Sequence, residues 1–109
     1  MTLILIGGAA AALVLLAPAA QPAAVQAGEK IAEARCASCH AIGLKARSPK
    51  VQAPTFDDIR LEYNAPYLEK KLADIAKRGH RSMPAIPISP QEAADIAAYV
   101  ESLRPQGYP

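Results

Sequence analysis

The chain has little aromatic material: one Phe, four Tyr and no Trp in 109 residues. A single small domain buries only part of its surface, and large rings normally supply much of such a core. Their scarcity points to a core completed by something other than side chains, and a large apolar ligand is one such staple. Cysteine is scarcer still. Only Cys36 and Cys39 occur, so none remains for a further structural disulfide or an all-cysteine zinc site. The formal net charge of +2 gives no electrostatic case for binding nucleic acid. Charge is absent altogether from Thr2 to Val25. No internal repeat and no strand-type alternation runs through the rest.

The uncharged start has its own reading. Leu3 to Ala17 is apolar and rich in Ala and Leu, Pro18 and Pro22 interrupt it, and Val25-Gln26-Ala27 supplies small residues at a cleavage site. This resembles a secretory signal peptide over residues 1–27, with Gly28 opening a mature domain over 28–109. It departs from the usual pattern in having no Lys or Arg ahead of the apolar run. That run is short for a membrane span, which takes about 20 residues. A retained anchor is the alternative, and only then does the protein touch a membrane. Both readings place the domain outside the cytoplasm.

What the mature part does have is Cys36-Ala37-Ser38-Cys39-His40. This is C-x-x-C-H, the attachment signature of a c-type haem. Two thiols one helical turn apart are spaced to form thioethers with the two haem vinyl groups. The adjacent His40 is placed to ligate the iron. Two other uses of these residues fit less well. A thiol–disulfide oxidoreductase of thioredoxin type needs strand–helix alternation and has no use for His40. A zinc module of Cys36, Cys39, His40 and His80 has unsuitable ligand spacing.

Around the motif the chain reads as short helices and stiff loops. Gly28 to Arg35 is predicted helical, with Ile31, Ala34 and Arg35 on a core face and small Ala32 admitting another helix. Residues 41–53 read as a loop carrying Lys45, Arg47 and Lys50. Pro54 has a carbonyl but no N–H, so it can accept from the second ring nitrogen of His40; a plain turn proline is an equally good reading. Phe56 to Tyr63 reads as a short helix. A second starts at Ala65-Pro66 and carries Leu68, Leu72, Ile75 and Ala76 at helical spacing until Gly79 stops it.

Gly79 to Pro87 has no helical period and is stiffened by prolines. It holds Met83, the only methionine besides the initiator. Far along the chain from His40, Met83 is the first candidate for the opposite axial position, with His80 as its competitor and an open position as the third reading. Ser89-Pro90-Gln91-Glu92 is a helix start with a capping box. Ile96, Tyr99, Val100 and Leu103 form the apolar stripe of that helix, which should pack on the first with Tyr99 near Ala32. Pro105 ends it, and the tail from Gln106 reads as frayed.

Gly28 eight residues before Cys36, the motif itself, Pro54, the Met83-Pro84 loop and a last helix bearing Tyr99 together resemble the class I c-type cytochromes. The likeness is to the small exported monohaem members of bacteria and covers nearly all of the mature part. It implies an all-α fold of three to four helices packed around one covalently bound haem c. It implies thioethers at Cys36 and Cys39, axial ligation by His40 and Met83, and Pro54 as the carbonyl partner of His40. One departure is Ala32, where many members carry an aromatic at the helix crossing.

The resemblance further implies a periplasmic electron carrier rather than an enzyme, with redox proteins as partners: a periplasmic dehydrogenase, a cytochrome bc complex or a terminal oxidase. The cytochrome subunit of a periplasmic dehydrogenase complex is the alternative role. Lys45, Arg47 and Lys50, with Lys77, Arg78 and Arg81, lie in acid-free windows on either side of the ligand candidates. They suit an acidic docking surface; a solvated face is an equal reading.

Overall fold

Four helices and no strand make up the computed structural model, which describes residues 2–4, 7–12, 20–44 and 47–103. Lys45, Pro105 and the tail from Gln106 lie outside those residues. Helix α1 spans Ala20–Arg35, α2 Phe56–Glu62, α3 Ala65–Arg78 and α4 Pro90–Ser102. The all-α expectation holds.

Helix α1 begins eight residues earlier than the sequence suggested. Pro22 does not break it, because it falls in the first turn. The N–H groups of that turn have no partner within the helix, so proline loses nothing there. The other starts are set by side-chain caps. Thr55 Oγ1 accepts from the Asp58 N–H at α2, and Asn64 Oδ1 accepts from the Tyr67 N–H at α3. At α4, Ser89 Oγ accepts from the Glu92 N–H while Glu92 Oε1 accepts from the Ser89 N–H, the expected reciprocal box. Gly79 ends α3 with φ +69, a backbone state that favours glycine.

The core sits where α1 crosses α4. Its buried members include Ala32, Phe56, Leu68, Ile96, Ala97, Tyr99 and Val100. Here the expected face of α1 is corrected. Gly28, Ala32 and Cys36 are the buried positions, Ile31 is half-buried, and Ala34 and Arg35 are exposed. The reason is steric. A Cβ on Gly28 would stand 2.0 Å from the Asp95 carbonyl oxygen and 2.9 Å from Tyr99 Cβ. The two helix backbones meet at that glycine, which turns the 28–32–36 stripe inward at i, i+4 spacing. The departure at Ala32 falls on the same stripe, and the close approach leaves no space for a ring.

Candidate haem site

The thiols come from the end of α1. The helix closes with the Cys36 and Ala37 N–H groups both bonding to the Ala32 carbonyl, at 2.9 Å each. A fresh turn follows, in which the Cys39 and His40 N–H groups bond to the Cys36 carbonyl at 3.1 and 2.9 Å. One turn therefore separates the two sulfurs and places His40 directly after them. Both cysteines are free; Cys36 is buried and Cys39 half-buried. Burial pushes the Cys36 thiol above its ordinary pKa, partly offset by the positive charge of Arg35.

The His40 ring is held by two contacts, each braced by further residues. Its Nδ1 lies 2.7 Å from the Pro54 carbonyl oxygen. Phe56 stands beside the ring at a centroid distance of 6.0 Å, and Phe56 in turn meets Tyr99 at 6.2 Å. The loop that carries Pro54 is tied back by the Phe56 N–H to the Ala41 carbonyl at 2.8 Å and by the Ala41 N–H to Ser48 Oγ at 3.0 Å. Tyr99 reaches over from α4 and donates its hydroxyl to the Ile42 carbonyl at 2.7 Å. A carbonyl only accepts, so the proton of His40 sits on Nδ1. The lone pair is then on Nε2, the nitrogen available to a metal.

Met83 is half-buried in a tight loop. The His80 and Met83 backbones exchange two hydrogen bonds, at 3.0 and 2.7 Å, across a turn made of Arg81 and Ser82. Arg81 adopts a positive φ of 49. Gly79 packs against this turn so tightly that a Cβ on it would stand 2.6 Å from the Met83 carbonyl oxygen. Two side chains clasp the loop to the motif side of the molecule. Lys50 bonds through its N–H to the Cys39 carbonyl at 3.1 Å and through Nζ to the Ser82 carbonyl at 3.5 Å. Arg35, next to Cys36, donates to the Pro87 carbonyl at 2.7 Å and pairs with Glu92 at 3.0 Å. Neither clasp is legible in the sequence, because each joins residues more than thirty positions apart.

These residues fit a haem. Two free thiols stand one turn apart, and a histidine offers Nε2. The protein's own core is thin, and among the described residues Ile96 is its only large side chain that is fully buried. On α3 only Leu68 is buried, while Leu72, Ile75 and Ala76 are left half-buried. An unfinished apolar stripe of that kind suits a large flat ligand. A zinc module is not favoured: among the described residues no three His, Cys, Asp or Glu side chains are grouped to hold a metal ion.

Comparison with known proteins agrees. Residues 23–100 match the family model described as cytochrome c oxidase, cbb3-type, subunit III. The chain is 36% identical over 78 residues to cytochrome c-552 of Bradyrhizobium diazoefficiens, covering 72% of this chain and 73% of that one. No solved structure matches. The chain belongs to the c-type cytochromes. Membership implies one covalently bound haem c and electron transfer as the class of work.

Proposed function

We propose that this chain is a periplasmic carrier of single electrons, with thioethers at Cys36 and Cys39 and with His40 and Met83 as axial ligands. Bound haem supplies a one-electron iron couple. The residues supply its setting. The Pro54 carbonyl fixes the tautomer and angle of His40, and that contact is the observation on which the reading chiefly rests. Lys50 and Arg35 hold the Met83 loop against the motif side. A thioether ligand favours the reduced iron, so Met83 sets a higher potential than a second histidine would. With both axial positions filled by the chain, no substrate meets the iron.

Residues 1–27 are read as a signal peptide and 28–109 as the mature domain. Among the described residues no helix is long and apolar enough to cross a membrane. Redox proteins of respiratory chains are the proposed partners: a terminal oxidase, a cytochrome bc complex or a periplasmic dehydrogenase. The oxidase is favoured by the description of the matching family model. Service as a dehydrogenase subunit is the second role. Arg47, Lys77 and Arg81 are exposed, and a basic rim of this sort suits an acidic docking face. Electron transfer to the partner then slows as salt rises through the screening range, and a rate indifferent to salt refutes the docking face.

The ligand test is spectroscopic. Met83→Ala should abolish the sulfur-to-iron band at the red end of the ferric spectrum and lower the potential. If His80→Ala did so and Met83→Ala did not, the assignment would fall.

A further inference from the structure

We propose that His80 is a reserve axial ligand, held on the same face of the turn as Met83 and able to replace it when the sulfur is lost. The inference rests on the reading of Met83 as the resident ligand. Four observations carry it.

First, His80 and Met83 face one another across the Arg81-Ser82 turn, joined by hydrogen bonds in both directions. Residues directly opposite in an antiparallel pair project their side chains to the same side. Their Cα atoms lie only about 5.5 Å apart in a hydrogen-bonded pair. Second, the two side chains have comparable reach, so a small shift of the turn exchanges one for the other. Third, the His80 side chain is exposed and has no hydrogen bond or ring contact among the described residues. It gives up nothing on moving. Fourth, the turn is tethered as a unit. Gly79 abuts the Met83 carbonyl and Lys50 holds the Ser82 carbonyl. Losing the sulfur therefore does not release the loop that carries His80.

Competition between the two explains why His80 stays in reserve. Met83 is half-buried while His80 is exposed to water. When the sulfur is gone, an unprotonated ring nitrogen of His80 donates its lone pair to the vacated position. One iron–sulfur bond is exchanged for one iron–nitrogen bond, and no electron changes owner. Imidazole is a common ligand of haem iron. The chain thereby keeps its iron six-coordinate and closed to small ligands after damage to its one non-initiator methionine.

The test uses the full holo-protein and two readouts, the ferric spin state and azide affinity. Met83→Ala should remain low-spin with the spectrum of two nitrogen ligands. Met83→Ala/His80→Ala should become high-spin and bind azide at least about tenfold more tightly, because no internal ligand must first leave. A high-spin Met83→Ala protein that binds azide as the double variant does would overturn the proposal. So would a double variant that stays low-spin, since another residue would then be the reserve. Met83→Leu repeats the test with the side-chain volume kept, should the alanine variant not fold. His80→Ala alone separates this proposal from the reading beneath it. Retention of the sulfur band supports Met83 as resident ligand. A high-spin His80→Ala protein would mean that His80 was resident all along, and both ideas would fail.

Discussion

The Pro54 carbonyl oxygen stands 2.7 Å from His40 Nδ1, across a separation of fourteen residues. The loop between them is pinned at several points, so the contact is built in rather than incidental. Replacing Pro54 by Ala keeps the carbonyl but frees the backbone. The unfolded chain gains entropy, and about 0.4–1 kcal/mol of stability should be lost. Thermal unfolding of the holo-protein checks this, and a midpoint unchanged in Pro54→Ala would deny the proline ring its part in fixing the loop.

Gly28 lies under the backbone of Asp95 with no space for a methyl group. Gly28→Ala should therefore push α1 and α4 apart and destabilise the domain by about 1–3 kcal/mol. Because Ala is the better helix former, a stabilised variant in thermal unfolding would show that the close approach is not present.

Tyr99 satisfies the Ile42 carbonyl from α4. Tyr99→Phe leaves that carbonyl without its partner and should cost about 1 kcal/mol. Burial raises the Tyr99 pKa above its ordinary value, and the charges of Glu29 and Glu33 add to the rise. For an acid whose folded pKa is raised, the contribution to stability is present below the unfolded pKa and is lost as pH rises through the folded one. The difference in stability between the native protein and Tyr99→Phe should shrink in alkali. An ultraviolet titration of the native protein should show a late-ionising component that Tyr99→Phe lacks.

Glu92 behaves in the opposite sense. The Ser89 backbone N–H and Arg35 hold its pKa below the ordinary carboxylate value. A depressed folded pKa gives stability above the unfolded value that is lost as pH falls through the folded one. Acid should therefore open the clasp between Arg35 and α4. Glu92→Gln should flatten the acid limb of the stability curve, and an unchanged limb would remove Glu92 from the account.

Local features were legible in the residues. Ser89 with Glu92 forecast a capping box, Pro66 a helix start and Gly79 a stop, because each acts on backbone groups within four positions of itself. Other features were opaque. Arg35 sits at helical spacing from Ile31 and so looked like part of a core face. Its guanidinium instead spans to Pro87 and Glu92, fifty-two residues away in the first case. Asn64 directly before Ala65-Pro66 is a local cap signal of the same kind as Ser89. Arg60 pairs with Asp57 at 3.0 Å, an i, i+3 contact that helical spacing allows, but only the fold shows that Arg60 is buried. The start of α1 lies ahead of Gly28, the expected opening of the mature domain, and Pro22 is tolerated there because it falls within the first turn.

By itself the sequence determined the chemistry: two thiols and a histidine in five consecutive residues, whose spacing along one turn is a property of the backbone. It also determined that the domain is all-α, since periodicity and caps are local. Only the tertiary structure decided which carbonyl faces His40, which glycine admits α4, what holds the Met83 loop and which side chain shares its face. These depend on where two distant stretches of backbone come to rest. Packing of α1 on α4 fixes that, and no spacing between neighbouring residues records it.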